Sequence, residues 1–184
     1  ANADTTITNA YKANLNTRAT GSNMGLADSL EVFHIFGQES STSAENSRIL
    51  IDFPVTTTIT SDRSAGTIPA SGSVSWFLRV HNVVHPGTLP RNYNMTISAV
   101  SRSWDEGTGL DMEGYTDSGS CNWTSAASSS GGDISWTTAG GDYHAAATGS
   151  TAYFDNGTED IEIDISHLVE EWVKGLSGGA KGNT

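Results

Sequence analysis

The stretch Glu159-Asp-Ile-Glu-Ile-Asp-Ile-Ser-His-Leu-Val-Glu-Glu-Trp-Val-Lys174 carries two periodicities back to back. Up to Ile165 it alternates. Ile161, Ile163 and Ile165 fall on one face and Glu162 and Asp164 on the other, which is the period of a half-buried strand. From Ser166 the spacing changes: Leu168, Val169, Trp172 and Val173 recur at i, i+1, i+4 and i+5, an apolar stripe along a helix. Ser166 reads as the N-cap, Glu170 and Glu171 favour the N-terminal side, and Gly175 stops the helix.

Working outward, the rest of the chain repeats the strand half of this pattern. Thr5–Thr8 is a short β-branched run. Ser29–Phe36 alternates, with Leu30, Val32, His34 and Phe36 on one face and Glu31 and Phe33 on the other. Arg48–Phe53 is almost wholly apolar and closed by Pro54, as in a central strand. Val74–Val84 and Tyr93–Ser103 alternate again, and Ala152–Asp155 is a shorter run. Thr56–Ser73 is β-branched and then rich in Ser and Gly, with Pro69 excluding a central strand. Trp104–Gly149 has no periodicity and reads as one long irregular region. Seven or more short strands, one short C-terminal helix and no βαβ spacing predict an all-β fold. The expected form is a jelly-roll-like antiparallel β-sandwich with long loops, a single domain over residues 1–184.

Leu, Ile, Val and Phe make up only 34 of the 184 residues, a fraction that with high net charge often signals disorder. Here these residues sit in alternating runs, so a folded protein with a thin core is expected. The chain carries 21 acids against 9 bases, a formal charge of −12 with a pI near 4.5. Residues 1–92 hold 7 acids and 6 bases, and residues 93–184 hold 14 and 3. Such a field excludes the basic stripe of a nucleic-acid binder and argues against docking on anionic lipid. One half or face of the molecule should be acidic. No apolar run approaches the length of a membrane span, and no signal peptide is visible.

The sequence has no G-x-S-x-G elbow, P-loop or H-E-x-x-H. His81 and His85 have a ligand spacing only on a helix, and they lie where a strand runs into Pro86, so they read as rim histidines. His34, His144 and His167 are isolated, and Cys121 is the single cysteine. A non-catalytic role is expected. The acids Asp105, Glu106, Asp111, Glu113 and Asp117 offer hard oxygen ligands, and a calcium site at Asp105, Glu106 and Asp111 is one candidate. A solvated acidic loop is the other reading. Asp155-Asn-Gly with Asp160 is a weaker candidate of the same kind. Trp104, Trp123 and Trp136, set among Gly and Ser with Asp105, Glu106 and Asp142 nearby, are candidate glycan or interface residues. Each ring either stacks on a sugar or plugs a loop onto the core. Trp76 and Trp172 lie on periodic apolar faces and belong to the core.

Taken in order, six segments resemble the DNRLRE family of extracellular β-sandwich modules. They are Ala3-Asp-Thr-Thr-Ile, Asn23-Met-Gly25, Arg48-Ile-Leu-Ile-Asp-Phe53, Trp104-Asp-Glu-Gly107, Trp136 with Gly140-Gly-Asp142, and Asp164-Ile-Ser166 with Leu168-Val-Glu-Glu-Trp172. Asn122-Trp123 departs from the family's Thr-Trp. The family continues past the helix with a turn and further strands, so a truncated sheet is expected. The resemblance implies one of two roles. The first is a virion structural protein of marine tailed bacteriophages, in a head, neck, decoration or fibre position, assembling with other virion proteins and with copies of itself. The second is a secreted or cell-surface carbohydrate-binding module, with calcium assistance.

Overall fold

Strand pairing starts where the apolar run Arg48–Phe53 lies. The structure, a computed structural model, describes residues 1–84, 89–113, 120–144 and 150–174. His85, Asp117 and the helix stop at Gly175 lie outside the described residues. In chain order the first elements are β1 (Ala3–Thr8), β2 (His34–Phe36), β3 (Ala44–Asp52), α1 (Val55–Ser64), β4 (Phe77–Val80) and β5 (Tyr93–Ile97). They are followed by β6 (Ser125–Ser129), β7 (Gly132–Ser135), β8 (Ser150–Phe154), β9 (Ile161–Asp164) and α2 (Ser166–Lys174). The fold is predominantly β, in small antiparallel sheets with two short helices. The chain divides into two compact units, each made from two stretches.

Unit 1 combines Ala1–Pro54 with Arg102–Asp142. Here β3 is the middle strand of a three-stranded sheet ordered β1-β3-β2, as its apolar run predicts. Ala3 faces Asp52 and Thr8 faces Ser47. On the other side only His34–Phe36 pairs, although the alternation predicts a strand from Ser29. The reason is local. The Ser47 hydroxyl takes the Phe33 N–H at 2.7 Å and donates to the Glu31 carbonyl at 2.8 Å, so a side chain replaces the ladder there. The region that lacks periodicity contains a hairpin, β6 with β7, irregular between Ser125 and Ala127. Its Ser-Ala-Ala-Ser-Ser strand has no large apolar residue to announce it, yet Ala126 is fully buried.

Unit 2 combines Val55–Ser101 with Tyr143–Thr184. β4 pairs with β9, Phe77 opposite Asp164 and Val80 opposite Ile161. β5 pairs with β8, Tyr93 opposite Phe154 and Ile97 opposite Ser150. β8 and β9 lie side by side, and the Ser150 hydroxyl donates to the Asp164 carbonyl at 2.9 Å. Alternation sends Leu78, Val80, Met95, Ala152, Phe154, Ile161 and Ile163 into two apolar clusters that share Ile163. Trp76 and Trp172 pack against the first of these, as expected.

Two helices form where the sequence predicts one. Val55–Ser64 is threonine-rich and poor in intrinsic helix propensity, so its helix rests on packing. Ile59 is buried against Leu168 and Val169 of α2, and Val55 joins the same cluster. The two helices are also joined electrostatically. Both terminal nitrogens of Arg63 contact the Glu170 carboxylate, which further accepts the Ser71 hydroxyl at 2.6 Å and the Trp76 indole N–H at 3.3 Å. The start of α2 differs in detail from the expected cap. The Asp164 carboxylate takes the Ser166 N–H at 2.7 Å, and the Ser166 hydroxyl instead accepts the Trp76 N–H at 2.8 Å. No helix among the described residues is long and apolar enough to cross a membrane.

The bonds from Arg63, with those from Ser71 and Trp76, hold the Glu170 carboxyl well below its ordinary 4.5, at about 2. A carboxylate whose pKa is lowered by folding stabilises the fold fully above the unfolded value and loses that contribution as the pH falls toward the folded one. Glu170→Gln should therefore destabilise unit 2 by about 2 kcal/mol at pH 7, because Arg63 keeps its charge and loses its partner. The gap between Glu170→Gln and the parent chain should close as the pH falls from 4.5 toward 2. Urea titrations at pH 7 and pH 3 measure both effects.

Candidate functional site

Trp104, Asp105, Glu106, Asp111, Trp123, Trp136 and Asp142 all fall in unit 1, where the loops of Glu106 and Cys121 meet at Asn23. This side chain is fully buried, so each of its polar atoms needs a partner. Its amide nitrogen donates to the carbonyls of Glu106 at 2.7 Å and Cys121 at 2.9 Å. Its oxygen accepts the N–H of Gly25 at 3.1 Å and of Gly109 at 2.8 Å. Two donors and two acceptor sites are the whole capacity of an asparagine side chain, and all are used. The close approach needs glycine: a Cβ on Gly109 would lie 2.0 Å from the Asn23 carbonyl oxygen.

The expected binding residues surround this latch. Backbone groups of Asp105 bind Cys121 and Ala126, at 2.8 and 3.0 Å, and its side chain is exposed. Glu106 is half-buried and accepts the Asp4 N–H at 2.7 Å, tying the loop to the start of β1. Trp104 is half-buried as well. Cys121 is fully enclosed, and burial, reinforced by the charge of Asp105, pushes its thiol up to about 12. A thiol held protonated in this way is inert until the fold opens.

Trp123 and Trp136 do not present faces to solvent. They are 8% and 5% exposed, so stacking on a sugar gives way to the other reading, that of loop plugs. The Trp123 ring lies under the Arg48 guanidinium, 5.3 Å from its centroid, and a Cβ on Gly140 would meet the ring at 2.8 Å. Gly140 has φ +93°, a backbone that L residues rarely adopt, so glycine is required there twice over. Arg48 also donates to the Gly140 carbonyl at 2.6 Å. The Trp136 indole N–H donates to the Asn122 carbonyl at 2.8 Å. Truncating either ring should cost about 3–5 kcal/mol of stability, the range for buried aromatics.

Asp142 is likewise internal. Its oxygens accept the Thr137 and Thr138 N–H groups, each at 2.9 Å, and Arg102 sits 3.1 Å away. Burial opposes its charge, but these bonds and Arg102 outweigh that and hold the carboxyl below the usual range. The expected calcium set does not assemble. Asp111 turns back to the Glu113 N–H at 2.8 Å, Glu106 is spent on Asp4, and no three His, Cys, Asp or Glu groups converge among the described residues. In unit 2 His81 pairs with Asp160 at 3.1 Å, both exposed. The Asp155-Asn-Gly turn is closed by Glu159, which accepts the Asn156 N–H at 2.6 Å.

Of the expected residues, Trp123, Trp136 and Asp142 are packed or bonded inward, Trp104 and Glu106 are half-buried, and Asp105 is exposed. Asn23 stood in the sequence as a motif residue before a glycine, and nothing around it signalled that its amide binds across to residues 106–121. The exposed aromatics among the described residues are Phe36, Phe77 and Tyr153 on strands and Tyr143 between strands. No family model, curated protein or solved structure matches the chain.

Asn23→Asp keeps the size of the side chain but removes the two donors to Glu106 and Cys121. It should destabilise unit 1 by about 3 kcal/mol, with two buried carbonyls orphaned. The reactivity of Cys121 toward a thiol reagent along a urea gradient reads this directly, since the thiol is buried in unit 1.

Proposed function

We propose that the chain is a non-catalytic structural and adhesion module of a tailed-phage virion, in a head, neck, decoration or fibre position, working by protein–protein assembly. Its small antiparallel sheets are taken as parts of a jelly-roll-like β-sandwich. The observation that carries this reading is how the motif residues are spent. Asn23, Glu106, Trp123, Trp136 and Asp142 are the side chains most suggestive of chemistry, and each is bonded or packed inside unit 1. Residues committed to internal bonds hold a shape, and a rigid shape suits an assembly part that is copied many times. The ordered resemblance of six segments to modules of phage particles points the same way. Copies of the chain are the first partners expected, followed by neighbouring virion proteins.

The acidic balance fits this role. Counted over the sequence, unit 1 holds 13 acids and 4 bases, while unit 2 holds 8 and 5. A net −9 on one unit keeps free copies soluble and selects a partner with basic groups.

Two measurements test the reading. Mass spectrometry of purified particles of the phage encoding this chain should detect it at stoichiometric level. Light scattering of the isolated chain should give a homo-oligomer. A strict monomer that is absent from particles overturns it.

A further inference from the structure

Asn156-Gly157 is the single Asn-Gly pair of the chain; each of the other asparagines is followed by a residue with a side chain. The pair lies between β8 and β9 in unit 2, in a turn built around the Glu159 carboxylate. One oxygen of that carboxylate accepts the Asn156 N–H at 2.6 Å and the Asp155 N–H at 3.1 Å. The Asn156 N–H above all, with those of Glu159, Gly157 and Asp155, outweighs burial and holds the Glu159 carboxyl below its usual range, so it is ionised at neutral pH. Asn156 itself is exposed. Its side-chain nitrogen stands 3.4 Å from both Asp155 Oδ2 and Glu159 Oε1, long contacts that leave the carboxamide carbon open to attack. Gly157 has φ +79°, and a Cβ there would lie 2.2 Å from the Pro90 carbonyl oxygen, so the turn demands a residue whose backbone nitrogen no side chain shields. One carboxylate therefore touches two nitrogens, the Gly157 amide and the Asn156 side-chain amide.

We infer that Asn156 is a site of spontaneous deamidation, closed through the Gly157 backbone nitrogen with Glu159 moving the proton, and that its conversion loosens the β8–β9 turn. The Gly157 nitrogen attacks Asn156 Cγ and a C–N bond forms, giving a five-membered succinimide. The Gly157 proton passes to the Glu159 carboxylate and from there to the departing side-chain nitrogen. The Cγ–Nδ2 bond breaks and ammonia leaves. Water then opens the ring at either carbonyl, leaving aspartate or isoaspartate at residue 156. The attack is intramolecular and its general base is already in contact. Asn122 and Asn23 lack these conditions, being buried and followed by Trp123 and Met24. Conversion works against the turn that permits it. A donor beside Asp155 and Glu159 becomes a third carboxylate, and isoaspartate adds a methylene to the backbone ahead of Gly157. The Gly157 carbonyl accepts the Asn82 amide at 3.0 Å, so the added length pulls on the segment that follows β4 as well. The modification proceeds whether or not the chain is a virion part.

Incubation of the full chain at 37 °C and at pH 6, 7 and 8, followed by peptide mapping and enzymatic methylation of isoaspartate, tests this. The native chain should gain isoaspartate and aspartate at residue 156 ahead of every other asparagine. Because Glu159 takes the proton in place of hydroxide, the native rate should rise by less than about tenfold per pH unit. In Glu159→Gln, and in the parent chain unfolded in urea, the full tenfold should return. Asn156→Gln keeps an amide at the turn and should stay unconverted. The converted chain, separated by anion exchange through its added charge, should melt below the fresh chain. Three results overturn the inference: a native Asn156 that stays intact while the urea-unfolded chain converts, a pH dependence identical in parent and Glu159→Gln, or a converted chain that melts with the fresh one.

Discussion

The side-chain amide of Asn23 is the constraint on which unit 1 depends. A chain with few large aliphatic residues cannot fill its interior with hydrocarbon, so polar groups enter it and must be fully bonded there. Asn23 does this for three segments at once. It joins its own turn at Gly25 to the loop through Glu106 and Gly109 and to the strand lead-in at Cys121. Thr5, Thr6, Thr8, Ser22 and Glu45 are buried in the same unit, and Glu45 is held by the Tyr11 N–H at 2.7 Å. Such an interior is costly to disturb, because losing one partner leaves another buried group unpaired.

The two units solve the thin-core problem differently. Unit 1 uses hydrogen bonds and tryptophan plugs over loops. Unit 2 uses alternating strands, with two apolar clusters meeting at Ile163 and helices held by the Arg63–Glu170 pair. This division explains where the charge lies. By sequence halves the acids crowd after residue 92, yet the unit built from both ends of that division, Ala1–Pro54 with Arg102–Asp142, carries most of the net charge.

What was legible in the sequence followed from periodicity. β9 and α2 appear within a few residues of where the switch from period 2 to the helical stripe puts them, and β3 takes the central place its apolar run indicates. Two elements were hidden and one expected strand came out shorter, each for a physical reason. α1 is a helix by virtue of Ile59 and Arg63 meeting α2, which outweighs the low propensity of its threonines. β6 has only Ser and Ala, so no pattern could reveal it. Ser29–Phe33 alternates like a strand, but the Ser47 hydroxyl satisfies its backbone. At the site, the inward packing of Trp123 and Trp136 was not legible. Burial of Trp123 and Trp136 depends on Gly140 and Asn122, and long-range closeness of that kind leaves no local trace.

Native-state hydrogen exchange at the amides of Gly25 and Gly109 tests the central role of Asn23 most directly. Both N–H groups sit in loops and both donate to the Asn23 oxygen. If the latch holds unit 1 together, these two amides exchange only through opening of the whole unit, with free energies matching those of the β1 and β3 amides. Exchange at the rate of free loops, with β1 and β3 still protected, would contradict it.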